Sequence, residues 1–371
     1  MLVNADLHIH SPYAIAVSRQ MRPDRLIAAC VTKGIGVLGT GDALHPAWQK
    51  EWQPFLENDA GIVIVPSAEV EDISRVHHLI LAEDFSVFDG IRDRFSAHSR
   101  SLLSVGRPHV YLPGGEIARI AHEAGALVGP AHAFTPWTAI YAYFDSLAAC
   151  YGEEPVDFLE LGLSADSSYG AGISELYGIP FLSNSDAHST APEKFAREFN
   201  RLEVASPSVR SVLDAVKNGR VVLNAGFFPE EGKYNRTACA RCFTRYSLEE
   251  AVKNRWRCPL DGGQIKKGVA DRAKELTDGE VRPRPPYLHL LPLGQIIQTA
   301  EKTSSPSTKK CRQIYAAFIE AFGNEIAVLT DVPVPEIRAV HEKAGDAIEA
   351  FRAGRVILHP GGGGKYGTFS Y

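Results

Sequence analysis

Histidines and carboxylates recur at the ends of short apolar runs through the first half of this 371-residue chain. Asp6-Leu7-His8-Ile9-His10 comes first, followed by Asp42 and His45, Glu69, His77-His78, His132 and Asp186-Ala187-His188. Each group follows Val, Ile, Leu, Phe and Gly in the pattern of a buried strand. His8 and His10 are two apart, so a strand sends both imidazoles to one side. Imidazole nitrogen together with carboxylate oxygen is the donor set of divalent metals of borderline hardness. A single His or Asp at a strand end is usually a hydrogen-bonded or capping residue, but a row of them points to a hydrolytic metal centre. We expect its ligands to be His8, His10, Asp42, Glu69, His78, His132, Asp186 and His188, enough for two or three ions. His45 and His77 each stand beside a stronger candidate and read as structural.

Such a centre suits hydrolysis by a metal-activated hydroxide, with the ions offsetting charge on the group attacked and on the leaving oxygen. Asp186 is expected to bridge ions or orient the hydroxide. His132 and His188 would ligate or help protonate the leaving group.

The elements that must position these groups alternate. Strand-like runs at 2–8, 37–40, 62–66, 77–81, 127–130, 158–163, 181–183 and 202–204 are separated by helical patterns such as 25–31 and 115–125. Repeated βα units predict an α/β domain over residues 1–228, with a mostly parallel sheet closed as a barrel and the ligands at the strands' C-terminal ends.

Residues 229–285 differ. Cys239-x2-Cys242 and Cys258-x2-Asp261 have the spacing of a zinc ribbon, with Asp261 where a fourth cysteine is expected. Either a structural zinc is held by three thiolates and a carboxylate, or the module stands without it. Arg241, Arg245, Arg255, Arg257, Lys266 and Lys267 would face phosphates, with Trp256 serving as a small core. Residues 286–371 predict helices near 293–301, 310–322 and 336–353, ending in a Gly-rich tail at 361–364. There the backbone could approach a phosphate, with Lys365 as countercharge.

The net charge of −5 is unevenly spread. Residues 232–284 hold 13 Lys/Arg against 7 Asp/Glu, residues 285–371 hold 9 against 8, and residues 1–231 hold 17 against 29. An acidic metal-binding body beside a basic module fits an enzyme acting on a polyanion such as DNA. No apolar run approaches the ~20 residues that span a bilayer, and the start MLVNADLHIH lacks a basic, then apolar, signal pattern. Six dispersed cysteines suit a reducing compartment. We therefore expect a cytoplasmic protein without a membrane partner. No clear sliding-clamp-binding box is readable.

Asp6-Leu7-His8-Ile9-His10-Ser11 resembles the first motif of the PHP (polymerase and histidinol phosphatase) phosphoesterases. Gly39-Thr40-Gly41-Asp42, Ser67-Ala68-Glu69, His78-Leu79-Ile80-Leu81, Gly129-Pro130-Ala131-His132 and Ser185-Asp186-Ala187-His188 resemble its later motifs, in order. The resemblance covers residues 1 to 228 and implies a distorted (β/α)7 barrel with a trinuclear zinc, manganese or iron centre. Many members carry Asp or His just past the first motif, where this chain has Pro12-Tyr13-Ala14-Ile15-Ala16, so one ion would lack a usual ligand. The further order of cysteine module, helical domain and Pro360-Gly-Gly-Gly-Gly-Lys365-Tyr-Gly367 resembles a lesion-specific DNA-repair branch of the family. It implies hydrolysis of the phosphodiester 5′ to a deaminated base: uracil, hypoxanthine or xanthine. A PHP phosphatase acting on a small phosphate monoester would need the same centre but neither the basic module nor the tail.

Overall fold

A computed structural model describes residues 1–370. Ten strands organise the first part: β1 (Leu2–Asp6), β2 (Val37–Gly39), β3 (Val63–Val65), β4 (Ser67–Glu71), β5 (His77–Leu81), β6 (Leu127–Pro130), β7 (Leu159–Glu160), β8 (Phe181–Leu182), β9 (Phe199–Glu203) and β10 (Val221–Gly226). The architecture is α/β, but the sheets are mixed where the sequence predicts mostly parallel pairing. β1, β2 and β3 run parallel, whereas β9 is antiparallel to both β1 and β10. β4, β5 and β6 form an antiparallel sheet, and β7 pairs parallel with β8. In the β4–β5 pair the cause is connection length: the turn 72–76 is too short for the crossover helix that a parallel pair needs.

The helices follow from sequence punctuation. α1 (Pro23–Lys33) opens with Pro at its first position, buries Pro23, Leu26, Cys30 and Lys33 at helical spacing, and stops at Gly34 with φ 93°. α2 (Pro46–Trp52) follows Asp42, α3 (Phe85–Phe95) is capped by the Asp84 carboxylate, and α4 (Gly114–Glu123) precedes β6. Leu7, Val65, Leu79, Ala131 and Phe158 pack together in one apolar cluster. Gly41, at φ +61°, lets the loop after β2 lie on the first motif; a Cβ there would stand 2.0 Å from the Ile9 carbonyl oxygen.

In the cysteine module Ala238–Cys239 pairs antiparallel with Ile265–Lys266, and between them Leu248–Lys253 is a helix with a Ser247/Glu250 capping box. The Gly-rich segment is docked on this module. Gly361, Gly362 and Gly363 are buried, the Arg236 N–H donates to the Gly361 carbonyl, and a Cβ on Gly363 would meet the Cys239 carbonyl oxygen at 2.2 Å.

Two sequence-based boundaries shift. The strand Tyr287–His289, which falls in the predicted last domain, pairs parallel with β10 and extends the large sheet. The helix predicted over 336–353 is two helices, Val334–Val340 and Glu342–Arg352, broken at His341, whose extended backbone lets its ring accept the Ala344 N–H. A further helix, Glu325–Thr330, capped by Asn324, carries Glu325 against α1. There the Lys33 ammonium donates to Glu325 at 2.7 Å, fully buried. Among the described residues no helix is long and apolar enough to cross a membrane.

Candidate metal centre

The loops leaving β1, β2, β6 and β8 converge with strands β4 and β5 on one cluster. Its hub is Glu69, fully buried on β4. His10 Nε2 lies 3.3 Å from Glu69 Oε2, and His8 Nε2, His77 Nδ1 and His132 Nε2 lie 3.8, 2.8 and 2.8 Å from Oε1. Asp186 Oδ1 stands 3.1 Å from His10 Nε2 and 3.8 Å from His8 Nε2, with His188 beside it. Three overlapping donor triads result: His8, His10 and Glu69; Glu69, His77 and His132; His10, Asp186 and His188.

The residues fit resident cations on two grounds. First, buried donor atoms point at the gap: His8 Nε2, His10 Nε2 and Asp186 Oδ1 have no hydrogen-bond partner. Second, the opposite ring nitrogens are held. His8 Nδ1–H donates to Glu160 at 3.0 Å, His10 Nδ1–H to Asp42 at 3.0 Å, and His77 Nε2–H to Glu71 at 3.1 Å. Carboxylates behind each imidazole fix the tautomer that leaves the other nitrogen for a metal.

The electrostatics say the same. Burial opposes charge on His8, but the carboxylates of Glu160, Glu69 and Asp186 outweigh it and hold the ring up at about 9. Burial likewise opposes His10⁺, and Asp42, Asp186 and Glu69 override it. Burial would raise Glu69 and Asp186, yet the surrounding imidazoles hold both carboxyls well below their usual range. Without cations, protons on His8 and His10 balance part of the carboxylate charge there.

Three of these residues sit in the left-handed backbone region: Asp42 at φ 50°, His132 at 32° and Asp186 at 47°. Each begins the loop leaving its strand, and such backbone costs of order 1 kcal/mol or more unless packing fixes it. Gly162 provides that space for His132; a Cβ on it would lie 2.5 Å from the His132 Cβ.

Two of the expected ligands stand elsewhere. Asp42 lies behind His10, with Oδ1 on the ring and Oδ2 accepting from Ser11 N–H at 2.7 Å and from the Ser11 hydroxyl. Both of its oxygens are thereby engaged by His10 and Ser11, outside the donor triads. His78 points away from the cluster, its Nδ1 on the Tyr151 hydroxyl at 2.7 Å. His77 takes the place that the sequence reading gave to His78, and His45 stacks on Tyr13 at 4.0 Å. Sequence reasoning missed Glu160, Glu71 and Arg107, whose guanidinium is 3.1 Å from Glu69 and partly exposed.

Residues 292–355 match the family described as the MJ0043 C-terminal domain. The chain is 44% identical over 246 residues to the uncharacterized protein MJ0043 of Methanocaldococcus jannaschii, covering 64% of this chain but only 31% of that longer protein. It is 31% identical to YqxK of Bacillus subtilis over 98% of both chains. The crystal structure of the lesion-specific endonuclease PfuEndoQ from Pyrococcus furiosus superposes with a TM-score of 0.96 at 44% identity, covering 100% of this chain and 95% of that one. An endonuclease Q bound to a 27-mer duplex with an abasic lesion at its active site gives 0.93 and 43%, covering 100% and 96%. The chain belongs to the endonuclease Q family.

In this member of the endonuclease Q family the cysteine module gathers Cys239, Cys242, Cys258 and Asp261, with one donor atom of each within 4.8 Å of the others. Cys242 Sγ is 3.6 Å from Cys258 Sγ, and Cys239 Sγ is 3.4 Å from Asp261 Oδ1. The N–H groups of Arg241 and Cys242 point at Cys239 Sγ, at 3.3 and 3.5 Å. Trp256 packs on the module's small core. The basic side chains divide. Arg255, Arg257 and Lys365 are exposed and Lys266 is half-buried. Arg241 donates to the Asp261 carbonyl, Arg245 to the Pro360 carbonyl, and Lys267 pairs with Glu275.

Proposed function

We propose that this chain is a metal-dependent DNA repair endonuclease that hydrolyses the phosphodiester 5′ to a deaminated base such as uracil, hypoxanthine or xanthine. The observation that carries the reading is the nest of imidazoles and carboxylates around Glu69, in a chain that matches lesion-specific endonucleases over its whole length. Two or three ions of zinc, manganese or iron type suit the donor set. His8, His10, Glu69, His77, His132, Asp186 and His188 would hold them. Once bound, divalent ions supply a water of lowered pKa and countercharge for the phosphoryl oxygens. Asp186 and His188, about a third exposed, are the donors at the open side, where the phosphate must arrive. Arg107 adds a fixed positive charge there. His132, hydrogen-bonded through Nδ1 to Thr135 at 3.1 Å, would assist the departing 3′ oxygen.

The sheets are read as one distorted barrel over residues 1–228, because hydrogen bonds from Ala43 to Ser67, Ala133 to Glu160 and His10 to Ala187 tie neighbouring segments at the site's end. The module at 229–285 would hold a structural zinc. Arg255, Arg257, Lys266 and Lys365 would meet DNA phosphates together with Arg241, Arg245 and Lys267. A damaged base must leave the stack to be read. A cavity of about 610 Å³ lined by Trp137, Ser164, Arg197, Phe227, Phe228 and Tyr234 supports a flipped-base pocket. Tyr169, whose hydroxyl accepts from Asn235, packs outside it.

The test is cleavage of end-labelled duplex carrying one deoxyuridine beside an undamaged control, with Mn²⁺, Mg²⁺ or Zn²⁺ and with EDTA. We expect a metal-dependent cut immediately 5′ to the uracil that Asp186→Asn abolishes. No cut at uracil or hypoxanthine, in protein shown to hold metal, would leave a phosphatase of small phosphate monoesters.

A further inference from the structure

A second group of donors lies on the opposite face of β5. Asp72, His78 and Cys150 are all buried, and one donor atom from each lies within 4.8 Å of the other two. Asp72 directly follows β4 and Cys150 lies on the short helix Leu147–Tyr151, so the three come together only in the folded chain.

Asp72 and His78 are each held on one side and bare on the other. Asp72 Oδ1 accepts the N–H groups of Ser74 and Val76, both at 2.8 Å, which leaves Oδ2 over. His78 Nδ1 meets the Tyr151 hydroxyl at 2.7 Å, which leaves Nε2 over. Oδ2 and Nε2 are buried polar atoms without a hydrogen-bond partner, and they face each other at 3.2 Å. Ligand atoms of a tetrahedral zinc, with bonds of about 2.0–2.3 Å, stand about 3.3–3.7 Å apart. The backbone leaves room: residue 114 is glycine, and a Cβ there would press on Cys150 Sγ and His78 Cε1, each at 2.8 Å.

From this geometry we propose that Asp72, His78 and Cys150 form a separate, closed site for a single zinc-type divalent cation, structural in role. Carboxylate, neutral imidazole and thiolate together carry two negative charges, which one divalent ion neutralises. Thiolate with imidazole selects a borderline-soft metal over magnesium or calcium. Binding displaces the Cys150 proton, which burial and the Asp72 charge otherwise retain. The ion would tie the hairpin turn to the helix Leu147–Tyr151 behind the catalytic cluster, without touching DNA. Lacking a cation, the same atoms form a plain Asp72–His78–Tyr151 hydrogen-bonded chain, which is the competing account.

The full-length protein is loaded with zinc sulfate, desalted, and its zinc per chain measured beside Cys150→Ala. We expect the variant to hold one zinc fewer and to melt at a temperature that EDTA lowers less than it does for wild type. Equal zinc in both proteins overturns the proposal. Should the variant fail to fold, anomalous difference maps from zinc-loaded wild-type crystals decide. A peak between Asp72 Oδ2, His78 Nε2 and Cys150 Sγ supports the site; peaks only at the Glu69 cluster or the cysteine module overturn it.

Discussion

Glu160 is the residue whose replacement tests the metal centre most sharply, because it touches no proposed ion. Its Oε1 accepts the Asn184 amide at 2.7 Å, its Oε2 accepts the His132 N–H at 2.8 Å, and both lie 3.0 Å from His8 Nδ1. In Glu160→Gln one of these oxygens becomes an NH₂. Either choice sets donor against donor, at Asn184 or at His132, and leaves a buried group unpaired at a cost of about 1–3 kcal/mol. The neutral amide also loses the charge that holds His8 in its metal-binding tautomer, and loss of such an outer partner weakens metal by roughly 10–100-fold. That range corresponds to about 1.4–2.8 kcal/mol, in line with the hydrogen-bond count. The assay is zinc titration against a chromophoric competitor, followed by cleavage at saturating metal. The expected result is weaker affinity with unchanged stoichiometry, and activity recovered as metal is raised. Unchanged affinity, or a stoichiometry one ion lower at saturation, would refute the outer-shell role.

Three further outcomes are expected. His77→Gln should lower cleavage by at least the roughly 100-fold that loss of an outer partner can cost, while His78→Gln stays within about threefold; equal losses would show that both rings serve the centre. Lys33→Met strands Glu325 with only the Leu293 N–H and the Tyr315 hydroxyl and should cost about 3–5 kcal/mol in urea unfolding; a cost under about 1 kcal/mol would mean that water reaches the pair. Glu198 is pushed up by burial to about 8 from an ordinary 4.5, so the folded state keeps a proton that the unfolded state releases. That stability is whole below the ordinary value and drains as pH rises toward 8. Glu198→Gln should therefore gain melting temperature on wild type from pH 5 to pH 8; a constant difference contradicts it.

Legibility from sequence followed the reach of each signal. Residue type and strand-end position, which are local, singled out His8, His10, Glu69, His132, Asp186 and His188 as candidates, and the fold gathers them in the donor triads. What a carboxylate does there was not local. Asp42 reads as a ligand in sequence and Glu160 carries no signal there, and only the positions of the His10 and His8 rings show what each carboxylate holds. Sheet direction was misjudged because Ser67–Glu71 was not read as a strand, so the hairpin turn 72–76 went unseen. The docking of Gly363 on the Cys239 backbone was not legible, because its partner lies more than 100 residues away. The strand Tyr287–His289 is short and follows a proline run, and its partner β10 is more than 60 residues away, so no local pattern could assign it.

The exchange of His77 for His78 shows a signal that was present but unused. In an antiparallel pair, residues directly opposite one another face the same side, and alternate residues share a face. β4 and β5 pair Glu69 with Leu79, Val70 with His78 and Glu71 with His77. Glu69, Glu71 and His77 must then share one face, and Val70 and His78 the other. Once Glu69 is taken as a ligand, parity alone assigns His77 to the centre, provided that the turn 72–76 is recognised as a hairpin. The same parity places Asp72, one residue past Glu71, with His78 on the reverse face. One five-strand-residue hairpin arm thus divides its polar groups between a catalytic front and a buried back. Shifting that register by one residue would exchange the two sets, so the length of the turn fixes which imidazole faces Glu69.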